Sequence, residues 1–243
     1  MKGRGYRDLN LDLSRKHVCN ALMNLQHDAL SPPSRLALAY TKGPARPFLE
    51  LLLNLDNRLA AIVGNGKEPL IGQMRMAWWR DVITKTAEQR PQGDPLLARL
   101  TALDGTAIGD AVQAAMLKLV EAWDMLLANA AWTPDVLHAH AHAKAKAIFG
   151  GFADIMGVEV PDAAACIHAG EYWAYSGLLQ HCQTAAQYDA VSAALVAQVA
   201  PHRLRRKMRP LAILAFAAQQ EQDVQAGNLR QGLRLIFNAL TGW

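Results

Sequence analysis

Apolar residues along most of this chain recur every three or four positions, and short breakers rich in Pro and Gly separate the runs. Such spacing gathers the apolar side chains on one face of a helix. Ala and Leu supply most of the hydrophobic 51% of the 243 residues, whereas β-branched and aromatic residues are comparatively sparse. No segment alternates apolar and polar residues as a half-buried strand does. The sequence therefore predicts a single all-α domain over residues 31–243, after a polar leader over residues 1–30.

Seven segments show the helical spacing. They cover residues 47–63, 70–89, 107–130, 134–157, 162–182, 211–222 and 229–240. Pro47 suits the first turn of its helix, because the amide proton that proline lacks has no partner there. Pro32 and Pro33, at the end of the leader, are expected only to stop a helix.

Charge and cysteine content exclude several classes of protein. Twenty-five Lys and Arg residues against 21 Asp and Glu residues give a net charge of +4, too small an excess to indicate nucleic-acid binding. No run reaches the roughly 18 uncharged apolar residues of a membrane-spanning helix. Three widely spaced cysteines fit reduced thiols. We expect a cytoplasmic protein without a nucleic-acid partner, and peripheral contact with the inner membrane is the alternative.

Two charged side chains fall on the apolar sides of neighbouring predicted helices. At about 100° per residue, Arg75 lies inside the apolar arc of its helix, and Asp56 lies inside that of the preceding helix. An unpaired buried charge is costly. We therefore expect Asp56 and Arg75 to meet in the interior, directly or through one intermediary; the alternative is that one or both extend to a rim.

The stretch MRMAWWRDVI, residues 74–83, contains two adjacent tryptophans. Trp78 and Trp79 project about 100° apart, so each is expected to be buried against a different neighbouring element. Arg80 then points outward without a partner, and Asp81 lies at the margin of the apolar arc.

The same stretch resembles the R-L-x-W-W-R-D segment of the squalene/phytoene synthase family, particularly its bacterial members and a mitochondrial relative that is a complex I assembly factor. LNLDNRLAAI, LVEAWDMLLA, AKAIFGGFADIMGV and HAGEYWAYSGLLQHC resemble further family helices more loosely. The resemblance implies an all-α isoprenoid-synthase bundle around a central cavity. It makes Asp56, Arg75, Trp78, Trp79 and Asp81 candidate residues of the cavity or of a remnant site.

Active members of that family condense two prenyl diphosphates head to head, and aspartate-rich motifs on facing helices hold the Mg²⁺ ions that neutralise the diphosphate. Where the resemblance places the first D-x-x-x-D motif, Asp56 is followed four residues later by Ala60. Where it places the second, Asp189 stands alone. One carboxylate per site cannot build a magnesium cluster, so the resemblance implies a degenerate member without catalytic residues, metal or cofactor.

A basic run precedes Pro210. Arg203, Arg205, Arg206, Lys207 and Arg209 fall within seven residues, and no acidic residue interrupts them. An ordinary solvated face is one interpretation. The other is an exposed patch that contacts a diphosphate, an acidic protein partner or an anionic membrane.

Other patterns that could support catalysis or metal binding are weaker. His138 and His142 stand four residues apart, a spacing that can ligate zinc, but no H-E-x-x-H arrangement accompanies them, and a packed or solvated histidine face is favoured. There is no Gly-x-Ser-x-Gly, phosphate-binding loop or dinucleotide fingerprint.

Two functions from different classes stay open. The favoured one is a non-catalytic binding or assembly protein with an isoprenoid or diphosphate ligand, a protein partner or an anionic membrane surface. The alternative is a prenyl transferase of squalene or phytoene synthesis, which would require Mg²⁺.

Overall fold

The computed structural model describes residues 30–65, 68–199 and 203–225, with side chains as far as residue 221. Every regular element in these ranges is helical, so the predicted all-α class is confirmed. The α-helices are α1 (Pro32–Tyr40), α2 (Ala45–Asn65), α3 (Pro69–Thr84), α4 (Pro95–Thr101), α5 (Ala107–Ala128), α6 (Pro134–Ala145), α7 (Gly151–Ile155), α8 (Val160–Leu178), α9 (Ala185–Val196) and α10 (Arg209–Gln225). The remaining helical elements are the 3₁₀ turns Ala87–Gln89, Leu179–His181 and Arg206–Met208 and the π-helical segment Lys146–Gly150.

Polar side chains begin several helices by accepting hydrogen bonds from amide groups of the first turn. Thr133 caps α6 in this way, and Thr184 begins α9 with a capping box. Ser31 caps α1, whose first two positions are Pro32 and Pro33. The expectation that these prolines only stop a helix is therefore wrong, because proline is well tolerated in a first turn.

Four helices enclose the interior of the described part of the chain. α2 packs against α5, α5 against α6, and α6 against α8, and the 3₁₀ turn after α8 returns to α2. α3 lies on the outside of this ring against α5, and α10 packs against α8 and α1. The ring points side chains of four helices into one interior.

A glycine allows the close approach of α8 to α6 and to the π-helical segment. A Cβ atom added at Gly170 would lie 2.8 Å from Phe149 Cγ and 2.9 Å from Ala145 Cβ. Such distances are too short for a side chain without movement of the neighbours. The absence of a side chain at Gly170 thus brings the two helices together beside the interior site.

The predicted helices agree with the structure to within a few residues at their ends, except that the segment 134–157 is divided into α6, the π-helical segment and α7. Three helices, α1, α4 and α9, were not predicted from the spacing. The predicted leader, apart from residue 30, and the predicted helix at 229–240 lie outside the described residues. Within the described ranges, none of the helices combines the length and apolar character needed to cross a membrane.

Candidate functional site: a buried charged cluster

Asp56 lies in the interior, as its position on the apolar side of α2 predicts. Its residue is 7% exposed. Lys144 of α6 places its Nζ 3.0 Å from Asp56 Oδ2. The indole Nε1 of Trp123, on α5, donates a 2.7 Å hydrogen bond to Asp56 Oδ1. Both carboxylate oxygens are therefore occupied by donors from two other helices of the ring.

Lys144 is as fully enclosed as its partner, with a side chain that is 3% exposed. Its ammonium lies 4.6 Å from the ring centroid of Trp123 and 4.3 Å from that of Trp173 on α8. A cation between two indole faces gains from the negative potential of each ring. Desolvation lowers the pKa of Lys144, and the charge and hydrogen bond of Asp56 oppose that shift.

Two histidines complete the cluster. His140 is fully buried, its Nδ1 donates to the carbonyl of Ala122 at 2.8 Å, and its ring lies edge-on to Trp123 with centroids 4.8 Å apart. Burial and the Lys144 ammonium lower the pKa of His140 to about 3. Desolvation and the same ammonium also lower the pKa of His181. Both imidazoles are therefore held neutral at neutral pH.

The predicted pairing of Asp56 with Arg75 is wrong. Arg75 is exposed on the outer side of α3, and it makes no ion pair with any described residue. The physical reason is the position of α3, which lies outside the ring and covers only one of its sides against α5 and α2. The inward acid does have a cationic partner, but Lys144 of α6 supplies it.

The prediction that both tryptophans are buried is right for one of them only. Trp79 is 6% exposed, with the guanidinium carbon of Arg58 5.7 Å from its ring centroid. Trp78 is 44% exposed, and it packs edge-on against Trp79 at a centroid distance of 4.9 Å. The two indoles thus contact each other, and Trp78 does not fill a second interface within the described residues.

The two charged residues that follow the tryptophans both have partners. Arg80, which was expected to be unpaired, forms a salt bridge with Asp124 of α5. Asp81 lies on the exposed margin of α3 and pairs with Lys85 one turn later. The Arg80–Asp124 bridge joins α3 to α5, whereas the Asp81–Lys85 pair is local to the end of α3, and neither contact brings these residues to the buried cluster.

The acids at the positions of the family's two metal-binding motifs lie far apart in burial and environment. Asp189 lies exposed on α9, whereas Asp56 is buried on α2, and the buried Ala60 occupies the position one turn after Asp56. Mg²⁺ requires several oxygen ligands in near-octahedral geometry. At the Asp56 carboxylate, an ammonium and an indole proton take the places of such ions. The residues at this position therefore do not fit a magnesium ion.

The histidines of α6 form no metal site either. His142 donates from Nδ1 to the Glu171 carboxylate of α8 at 2.7 Å, and its ring centroid lies 6.2 Å from that of His138. Among the residues described, no group of three or more His, Cys, Asp and Glu side chains could hold a metal ion.

The basic run connects α9 to α10, whose first residue is Arg209, and its members differ in exposure. The exposed members are Arg203, Arg205, Arg206 and Lys207. Arg205 Nε donates to Asp162 Oδ2 of α8 at 2.7 Å. Arg209 is only half-exposed, and its guanidinium carbon lies 4.1 Å from the centroid of the Tyr40 ring. The prediction that Arg209 belongs to an exposed patch is therefore wrong.

Lys144, Trp123 and His140 were not predicted as site residues from the sequence. A signal for Lys144 and His140 was present, since both lie on the stripe of α6 that also carries Leu137 and Ala141. Trp123 had no comparable signal, because a tryptophan on an apolar face normally serves packing alone.

Comparison with known proteins identifies the family. A family model described as squalene/phytoene synthase matches residues 35–192, well over half of the chain. The comparison with curated proteins gives no match, and neither does the comparison with solved structures. The matched region extends from α1 into α9, and it contains the tryptophan pair and the cluster around Asp56. The helical bundle is consistent with the isoprenoid-synthase fold that the resemblance implies, and the chain belongs to the squalene/phytoene synthase family.

Proposed function

We propose that this chain is a non-catalytic member of its family that acts by binding or assembly. The observation that carries the proposal is the buried ion pair of Asp56 and Lys144. Lys144 places its Nζ 3.0 Å from the acid that the resemblance assigns to the first magnesium motif. Because Lys144 pairs with the carboxylate, the Asp56–Lys144 pair together offers no net negative charge to a metal–diphosphate complex.

The surroundings of the pair support the same proposal. The second carboxylate of a D-x-x-x-D motif is replaced by Ala60, and Asp189 faces solvent on α9. Departure of a diphosphate requires several positive charges held by carboxylates around it. One neutralised acid in the interior and one acid at the surface do not meet that requirement.

A binding protein also needs a surface for its partner, and the outer side of α3 suits a protein. Leu70, Ile71, Met74 and Trp78 are between 44% and 68% exposed there, and Arg75 lies among them. Tryptophan, methionine and arginine are enriched in the cores of protein interfaces. An isoprenoid or diphosphate ligand is the alternative partner.

The proposal includes a cytoplasmic location. Cys166 and Cys182 are free thiols in the described part of the chain, and burial raises the pKa of each to about 11. Cysteines that stay unpaired and protonated suit a reducing compartment.

The decisive experiment is incubation of the purified chain with farnesyl or geranylgeranyl diphosphate and Mg²⁺, followed by mass spectrometry of the organic extract. We expect no squalene, phytoene or cyclopropyl intermediate above a heat-inactivated sample. An active member of the family, assayed in parallel, controls for the reagents. Condensation product that requires both the intact chain and Mg²⁺ would refute the proposal in favour of a prenyl transferase.

Thermal unfolding with and without ligand shows whether the chain binds prenyl diphosphates. Thermal unfolding is followed with farnesyl diphosphate alone, with Mg²⁺ alone and with both. Stabilisation by the diphosphate without Mg²⁺ would support an isoprenoid ligand. Stabilisation that appears only with both would contradict the argument from Lys144, because it would require a metal site.

A further inference from the structure

Three valines at or just beyond the ends of neighbouring helices are exposed. Val160 begins α8 and is 82% exposed, Val196 ends α9 and is 83% exposed, and Val199 follows at 65%. Single exposed aliphatic residues are common on soluble proteins. These three differ from such isolated residues because the basic run lies next to them.

The salt bridge between Arg205 and Asp162 places the basic run beside the first turn of α8. Asp162 stands two residues after Val160, and Arg205 Nε lies 2.7 Å from its Oδ2. Val199 stands four residues before Arg203, so their Cα atoms are at most about 14 Å apart. α9 itself packs against α8. Exposed valines and exposed cations thus share one end of the molecule.

The residues at this end form a valine–arginine surface, which we define as Val160, Val196, Val199, Arg203, Arg205, Arg206 and Lys207. Glu159 and Asp162 lie beside it and reduce its charge. Arg206 and Lys207 are exposed and make no ion pair within the described residues. The surface therefore combines an excess of positive charge with unburied aliphatic side chains.

We propose that the valine–arginine surface binds the headgroup region of an anionic lipid membrane. Arginine and lysine attract anionic headgroups, and short aliphatic side chains enter the boundary between headgroups and acyl chains. Arginine is also enriched at protein interfaces, but lysine is depleted from them and valine is rare among their energetic hot spots, so the valines favour a membrane over a protein partner. The inference does not depend on whether the chain is catalytic.

The test is sedimentation of the full chain with vesicles of phosphatidylcholine alone and with vesicles that also contain phosphatidylglycerol. We expect binding to the anionic vesicles, weak binding to the neutral ones, and a decrease as salt is added. Arg206→Gln/Lys207→Gln should weaken binding at low salt by about 30-fold. Lys85→Gln/Lys118→Gln removes the same charge from α5 and the end of α3, and it should change binding by less than about threefold.

A second variant tests the valines separately from the charges. Val160→Ser/Val199→Ser, which leaves the net charge unchanged, should reduce binding roughly tenfold or more, and this loss should persist when salt is raised. Both positions are exposed, so circular dichroism should show unchanged helix content. Equal binding to both kinds of vesicle, or equal losses in the control and the Arg206/Lys207 variant, would overturn the proposal. Binding of the chain to polyglutamate that is as tight as binding to vesicles and insensitive to the valine variant would instead indicate an acidic protein partner.

Discussion

Replacement of Lys144 by methionine tests the central ion pair directly. Methionine is close to lysine in length and keeps contact with the Trp123 and Trp173 rings, but it removes the ammonium. Asp56 would then stay buried with only the 2.7 Å hydrogen bond from Trp123 Nε1. Loss of one partner from a buried pair costs about 3–5 kcal/mol. We expect the free energy of unfolding of Lys144→Met to fall by that amount at neutral pH.

A double-mutant cycle separates the charge interaction from general damage to the core. Asp56→Asn keeps an oxygen that can accept from Trp123, and it strands the Lys144 ammonium. Asp56→Asn/Lys144→Met contains neither charge, and a buried pair replaced on both sides is often nearly neutral. The double variant should therefore be more stable than the sum of the single losses predicts, by at least about 3 kcal/mol.

Urea unfolding at pH 7, followed by circular dichroism, gives the midpoint and the slope for each of the four proteins. The slope must stay constant for the comparison to hold, because a change in slope reports a change in the unfolded or native ensemble. Single losses below about 1 kcal/mol, or losses that add to within about 0.5 kcal/mol, would refute the reasoning. Either result would mean that the two charges are not coupled in a dry interior.

Three further predictions concern packing and pH. Trp79→Ala should lower the free energy of unfolding by about 3–5 kcal/mol, and Trp78→Ala by less than half as much because Trp78 is 44% exposed; equal losses in urea titrations would contradict this. Gly170→Ala should cost about 1–3 kcal/mol through its contact with Phe149, whereas Gly177→Ala, which meets no atom within 4 Å, should cost nothing in the same assay. His140 has a folded pKa of about 3 against an ordinary 6.5, so below pH 6.5 the unfolded chain binds a proton that the folded chain does not. The free energy of unfolding should therefore decrease as the pH is lowered through that range. His140→Gln should reduce the slope of this pH dependence by about 1.4 kcal/mol per pH unit in urea titrations. An unchanged slope would mean that His140 reaches solvent in the folded chain.

The helices that the sequence predicted correctly are those whose burial follows from a local stripe. α2 is an example, since its apolar residues recur at helical spacing and Pro47 stands in its first turn. α9 was missed because only Val191 and Leu195 are buried along it, so its sequence contains no continuous stripe. α4 is seven residues long and begins at an Asp94 cap, a signal that a short segment shares with many loops.

The candidate site was predictable only in part, because it depends on which helices enclose the interior. Helical spacing placed Asp56 inward on α2, and its burial confirms that placement. The same method placed Arg75 inward on α3, where it is exposed. Helical spacing gives the direction of a side chain relative to its own helix, but it does not show whether another helix packs against that side. α3 has an uncovered side, so part of its apolar arc meets no other described helix.

Lys144, the observed partner of Asp56, meets the criterion by which Arg75 was predicted: it is a charged residue on the apolar side of a helix. The buried stripe of α6 includes Leu137, His140, Ala141 and Lys144, so Lys144 is a charged residue inside an apolar arc. One inward acid therefore had two candidate cations, and electrostatics alone required only that one of them meet it. The order of the helices in the ring determines which cation pairs with Asp56. In the ring, α6 contacts both α5 and α8, and Lys144 lies between Trp123 and Trp173. An inward charge in a helical sequence thus predicts that a partner exists, and the tertiary order of the helices determines which residue it is.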